Sequence, residues 1–173
     1  MQIRRATAAD AALLADLGAR TFFDTFVNDN TPENMSAYLA SAFGESIQAV
    51  ELADAATIFL IAEIDGSPAG YAKLRLDDED TLEINRLYVA TERIGSGVGA
   101  ALMQAALDEA SREGRSKVWL AVWEHNARAR KFYERWGFVE VGEQKFVLGD
   151  DVQRDLVLAK SFSLREKVPR SGG

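Results

Sequence analysis

The sequence predicts an α+β domain: a central, mostly antiparallel sheet of about seven strands, flanked by about four helices. Three observations point to it. Apolar residues recur with helical spacing at Leu13, Leu14, Leu17 and Thr21, and again at Met35, Tyr38, Leu39 and Phe43. Strand-like runs at 57–63, 69–76 and 82–89 follow one another with only turn residues between them, as in an antiparallel meander. A glycine-rich loop then joins the last of these runs to a long helix, after which come a strand, a helix and two more strands.

Taken in order, residues 3–6 form a short first strand. Thr7 or Asp10 can cap the helix that runs on into Phe22 and Phe26, and Asn28-Asp29-Asn30 breaks it. Thr31-Pro32-Glu33 opens the second helix, with threonine as N-cap and proline in the first turn. Gly44 is expected to end that helix, with residues 46–53 adding a turn or two. Ile58 to Ile61 make a strong strand core, and Asp65-Gly66-Ser67-Pro68 a tight turn before the return strand. The acidic run Asp77-Asp78-Glu79-Asp80 reads as a solvated hairpin tip, because it lacks the ligand spacing of a calcium loop. Ile84, Leu87, Tyr88 and Val89 suit a strand, and residues 98–113 a helix stopped by Gly114. Val118, Leu120 and Val122 alternate with Trp119 and Ala121. Residues 127–136 form a helix closed by Gly137. Residues 138–148 and 152–160 make a terminal hairpin around Gly149-Asp150-Asp151. One domain, residues 1–162, is expected, with a disordered tail at 163–173.

Composition narrows the chemistry. With no cysteine, thiolate nucleophiles, disulfides and thiolate metal sites are excluded, and one histidine, His125, cannot build an imidazole cluster. No metal is expected. A net charge of −7 argues against nucleic acid and mildly favours cationic ligands, although a solvated acidic surface is the simpler explanation. No apolar run is long enough to span a membrane, and Met1-Gln2-Ile3-Arg4-Arg5 does not read as a signal peptide, so a cytoplasmic location is expected.

The stretch around Arg93-Ile94-Gly95-Ser96-Gly97-Val98-Gly99-Ala100 carries the chemical signal. Glycines at 95, 97 and 99 let successive N–H groups converge, and the following helix adds the positive end of its dipole. Such a turn suits a phosphate or pyrophosphate. A plain connecting loop would look similar. The nucleoside-triphosphate loop is excluded, since no lysine follows the glycines. The dinucleotide fingerprint matches at Gly95, Gly97 and Ala100, with Glu124 as a ribose ligand. It fails on topology, because that fold needs further strand–helix crossovers where this chain offers one helix and a hairpin.

Two motifs resemble those of the GNAT-type N-acetyltransferase superfamily: the glycine loop after Leu87-Tyr88-Val89, and Asn126-x-x-Ala129-x-x-Phe132-Tyr133-x-x-x-Gly137-Phe138. The resemblance spans nearly the whole chain. It departs at Ile94, where the family usually carries Gln or Arg. It implies a sheet splayed between the fourth and fifth strands and acetyl-CoA as co-substrate. Pantetheine would lie against Leu87, Tyr88 and Val89, with the pyrophosphate on Gly95, Ser96, Gly97, Val98, Gly99 and Ala100. Asn126 and Tyr133 would lie beside the cofactor arm. Tyr133 would protonate the departing thiolate, and Glu83 would serve as base, directly or through water. Left to their own sequence contexts, Tyr133 also reads as a core aromatic and Glu83 as an exposed strand residue. The N-terminal stretch from Arg20 to Phe26, with Thr31-Pro32-Glu33 and Tyr38, looks like the polyamine-acetylating branch. The implied partner is a small, cationic amine. Protein N-termini, amino acids, aminoglycosides, a non-catalytic acyl-CoA-binding module and a homodimer stay open.

Overall fold

The computed structural model describes residues 1–161, so the expected tail lies outside the described residues. The elements are β1 (Gln2–Arg5), α1 (Ala11–Phe26), α2 (Pro32–Ala42), α3 (Glu45–Ala53), β2 (Thr57–Ile64), β3 (Ser67–Leu76), β4 (Thr81–Val89), α4 (Val98–Arg112), β5 (Lys117–Trp123), α5 (Ala127–Arg135), β6 (Val139–Leu148) and β7 (Asp151–Ser161). Five helices stand where about four were expected. The difference lies at Gly44: it does not close α2 in a left-handed turn but takes an extended conformation (φ −69°, ψ 152°) and starts α3. Gln48, buried in α3, donates its side-chain amide to the Ala42 carbonyl (2.8 Å) and holds the two helices at that corner. The β2–β3 turn is also tighter than expected. Asp65 and Gly66 both have positive φ, the geometry of a two-residue hairpin turn, so Ser67 and Pro68 already belong to β3.

The seven strands are ordered β1-β2-β3-β4-β5-β7-β6, and β4 with β5 is the parallel pair among antiparallel neighbours. That pair needs a crossover, and α4 supplies it. Its ladder is short: it runs from Thr81 beside Lys117 to Glu83 beside Trp119 and stops. On the other edge of β4, Lys73 pairs with Arg86 and Leu74 with Ile84, leaving Asn85 as an extra residue. A bulge of this kind bends its strand. Beyond it, residues 84–89 diverge from residues 120–123, which stay paired to β7. Val118 is still paired to Leu82, and the opening begins two residues later.

Strand alternation divides the sheet into two faces. Leu82, Ile84, Val118, Leu120, Val122, Leu156 and Leu158 pack under α4 and α5 in the main core. On the opposite face, Leu14 and Leu17 of α1 cover Phe59, Ile61 and Tyr71, while Phe22, Met35, Phe43 and Leu148 form a third cluster joined by Tyr38, Phe26, Tyr88 and Phe146. Among the described residues no helix is long and apolar enough to cross a membrane.

Candidate active site

The glycine loop lies between β4 and α4 as an exposed turn. Gly95 (φ +86°) and Gly97 (φ +88°) are both left-handed, and a Cβ at either would meet no atom within 4 Å. Side chains are disfavoured there by backbone conformation, not by crowding. Among the described residues the N–H groups of Gly95, Gly97, Val98, Gly99 and Ala100 find no acceptor, whereas Ser96 N–H donates to the Arg93 carbonyl (3.2 Å). Free donors at the N-terminus of a fifteen-residue helix make a fitting cradle for a pyrophosphate. Ile94 is exposed and, among the described residues, Arg93 makes no side-chain bond, so the cradle is built of backbone.

The loop meets the splay. A Cβ on Gly99 would stand 3.7 Å from Val89 Cγ2 and 3.6 Å from the Phe132 ring, so the end of β4, the first turn of α4 and α5 converge there. The Ala90 N–H donates to the Ala69 carbonyl on β3 (2.9 Å). By the alternation of an antiparallel ladder, Tyr88 also bonds toward β3, and Leu87 and Val89 turn their N–H and C=O groups into the splay. These are unpaired strand-edge groups in the gap that the bulge at Asn85 opens.

Tyr133 stands on α5, buried in the main core with its ring 5.9 Å from that of Phe138. Its hydroxyl has no hydrogen-bond partner among the described residues, yet it is not sealed. The buried polar side-chain atoms sealed without a partner are Tyr71 Oη and Arg115 Nε. Burial pushes the Tyr133 hydroxyl up to about 12, so the proton is held firmly at neutral pH. Asn126 caps α5, since its side-chain oxygen accepts from the Ala129 N–H (3.2 Å), and among the described residues its Nδ2 has no partner.

Glu83 is half-buried at the closed end of the splay, beside Trp119, and its Oε1 accepts from Asn85 Nδ2 (2.8 Å). Since Leu82 and Ile84 face the main core, Glu83 faces the other side, the side of α1 and α2. Trp119, Ala121 and Trp123 share that face by the same alternation. The structure therefore brings the glycine loop, Leu87, Val89 and the α5 motif together, and sets Glu83 on the opposite face. Above this second face Phe22 stacks on Tyr38 (4.5 Å between centroids) and Phe26 stands edge-on to Trp123 (6.1 Å). Thr91 Oγ1 donates to Asp24 Oδ2 (2.9 Å), tying α1 to the loop region. Behind Tyr88, the Glu51 carboxylate holds Lys73 (3.1 Å) and Arg86 (3.3 Å), and the Arg86 guanidinium lies over Phe43. Sequence reasoning missed one residue of this face. Asp155 on β7 pairs with Trp123 and is 7% exposed, but a lone aspartate in a terminal strand gives no local sign of burial.

Residues 20–138 match the sequence model of the acetyltransferase (GNAT) family. Over 153 residues the chain is 37% identical to an uncharacterized N-acetyltransferase of the pepI 3′ region of Lactobacillus delbrueckii subsp. lactis, covering 84% of this chain and 88% of the relative. It is 34% identical, also over 153 residues, to an uncharacterized N-acetyltransferase of Mycobacterium tuberculosis, covering 88% and 98%. Among solved structures it resembles the PaiA N-acetyltransferase of Thermoplasma acidophilum in complex with coenzyme A. There the TM-score is 0.80 and the identity 19%, over 93% of this chain and 98% of that one.

Proposed function

The chain belongs to the acetyltransferase (GNAT) family as an acetyl-CoA-dependent N-acetyltransferase, and on that footing we propose that it acetylates a small cationic amine, of the polyamine class, by direct attack in a ternary complex. The observation that supports this reading is the convergence of the end of β4, the first turn of α4 and α5: an anion cradle and, by ladder alternation, free backbone donors lie beside the helix that carries Tyr133, whose hydroxyl has no partner among the described residues. Residues 1–162 serve as a single transferase domain.

Acetyl-CoA, when bound, supplies the activated thioester and a thiolate leaving group. The N–H groups of Gly95, Gly97, Val98, Gly99 and Ala100 would hold its pyrophosphate. Leu87 and Val89 present backbone donors in the splay, where they would bind pantetheine and stabilise the carbonyl oxygen as charge grows on it. Donors fixed in a dry gap are worth several kcal/mol, about 3–4 for one well-placed group. Tyr133 acts as general acid. Burial makes its phenol a weaker acid, but the same dry surroundings make a thiolate released there a stronger base, so the proton is given where it is needed. Glu83 takes a proton from the incoming amine, directly or through water, from the face where α1 and α2 would admit the acceptor. With no cysteine in the chain, no thiol is present to form an acyl-enzyme, which favours direct attack.

The polyamine class rests on the aromatic residues of that second face, on the carboxylates of Glu83 and Asp155 that share it, and on the net charge of −7. The test is release of free thiol from acetyl-CoA across a panel of polyamines, monoamines, amino acids and peptide N-termini. Turnover confined to peptides or amino acids would refute the small-amine reading.

A further inference from the structure

Asp155 is a buried carboxylate that no described residue neutralises. It makes no hydrogen bond and no ion pair among the described residues, although its residue surface is only 7% exposed. The adjacent cation, Arg154, faces the other way, where it pairs with Glu124 (3.3 Å) and with Glu143. Unpaired buried charges are rare in folded proteins because desolvation is uncompensated. The Asp155 oxygens are also not among the sealed partnerless atoms, so an opening reaches them.

The surroundings say what would fit. Asp155 pairs across the sheet with Trp123 on β5 and Gln144 on β6, which places the three side chains on the face of α1 and α2. Gln153 and Val157, two residues away on β7, share this face. Phe26 of α1 stands against Trp123, and Tyr38 of α2 lies close enough to feel the Asp155 charge. The titratable groups beside this pocket are Tyr38, which feels the Asp155 charge, and His125, which stands edge-on to Trp123 (5.2 Å between centroids). An anion among aromatic faces and amides favours a weakly hydrated organic cation, since ring faces attract ammonium groups. A metal ion is a poor fit: among the described residues no group of three or more carboxylates or histidines could hold one. Position fits as well. Glu83 adjoins Trp119 and Asp155 adjoins Trp123, four residues further along β5, a strand distance of roughly 13 Å. An extended diamine can present one amine near the splay and leave its far ammonium toward Asp155.

We propose that Asp155, with Trp123 and Tyr38 around it, binds the second, non-reacting ammonium of the acceptor and makes the enzyme select diamines and polyamines over monoamines. This rests on the small-amine reading above. At neutral pH burial still leaves Asp155 largely ionised, with its carboxyl pushed up to about 6, so the negative charge is in place before the substrate arrives.

The test is thiol release with α,ω-diaminoalkanes against monoalkylamines of matching length, using wild type, Asp155→Asn and Asp155→Glu. Losing one charge-assisted bond should lower kcat/KM for diamines by about 10- to 100-fold, chiefly through KM, in Asp155→Asn. KM for acetyl-CoA and turnover of monoamines should stay within about twofold, and Asp155→Glu should recover part of the preference. A wild type that uses a diamine and its matching monoamine equally well overturns the role of Asp155, and this reading needs no variant to fold. Parallel loss of both amine types in Asp155→Asn overturns it too. Thiol release by wild type with neither type overturns the small-amine function itself, and the proposal falls with it.

Discussion

An unpaired buried carboxylate should cost the protein stability, and the cost should depend on pH in a defined direction. Burial pushes Asp155 up to about 6, whereas an aspartate in an unfolded chain titrates near pH ~3.9. The folded pKa is the higher one. The folded state therefore favours the protonated form, and the stability that this form contributes is fully present below about pH 4 and is lost as pH rises through about 6. A difference of about two pH units corresponds to about 3 kcal/mol at most. Solvent reaches the oxygens, which screens the charge, so about 1–2 kcal/mol is the expected penalty at pH 7.5. Asp155→Asn keeps the shape and removes the charge. At pH 7.5 it should melt roughly 3–6 °C above wild type, the shift that 1–2 kcal/mol gives in a domain of this size. The advantage should shrink toward zero near pH 4. Thermal melts by circular dichroism from pH 4 to 8, without substrate, would measure it. A difference in melting temperature that is constant over that range would refute the reasoning, because the gain would then come from packing and not from charge.

Four further outcomes follow from the site. Gly97→Asp forces a side chain into a left-handed backbone position and puts an anion in the cradle, so acetyl-CoA binding measured by calorimetry should be lost while the fold is kept; unchanged affinity would move the cofactor elsewhere. Tyr133→Phe removes a hydroxyl that has no partner among the described residues, so stability and acetyl-CoA affinity should hold while kcat falls by roughly 10²–10⁴; a variant with wild-type turnover takes Tyr133 out of the mechanism. Glu83→Gln should reduce turnover most at lower pH, where the acceptor amine is more fully protonated, and an unchanged pH–rate profile would leave Glu83 a structural role. Finally, the KM of a polycationic acceptor should rise with ionic strength, since screening weakens its attraction to an acidic face; a salt-independent KM would count against that attraction.

What could be read from the chain follows the range of the forces involved. The path from β4 through the glycine loop to α4 was legible because the strand-prone residues Ile84, Leu87, Tyr88 and Val89, the glycines at 95 and 97 and the helical periodicity after Val98 are all local signals. The splay between the fourth and fifth strands came from the resemblance, whereas the strand order and the parallel pairing of β4 with β5 were not read from the chain, since no local pattern names a strand's neighbour. Gly44 was misread because a glycine after an apolar helix looks the same whether it ends that helix or begins another. The splay itself depends on where pairing stops, at Glu83 and Trp119, and on the extra residue Asn85, and both are set by register across three strands. Asp155 was out of reach for the same reason. Its neighbours across the sheet, Trp123 and Gln144, and the nearby Tyr38 are 32, 11 and 117 positions away.

The division of the sheet into two faces bears on how such an enzyme would acquire a substrate. A hydrogen-bonded ladder with side chains on both sides is a closed partition, so groups held on one face reach those on the other where the ladder is open. The glycine loop and Tyr133 are built from α4 and α5 on one side, while Glu83, Trp123 and Asp155 face α1 and α2 on the other. The cradle is almost wholly backbone, held by glycine conformations that tolerate little change. The acceptor face is made of side chains on two helices and a terminal hairpin, and those can be exchanged without disturbing the cradle. On this arrangement, specificity changes should concentrate at positions such as Tyr38, Phe26 and Asp155. Substitutions in the loop should instead weaken use of every acceptor alike, because each depends on the same bound acetyl donor.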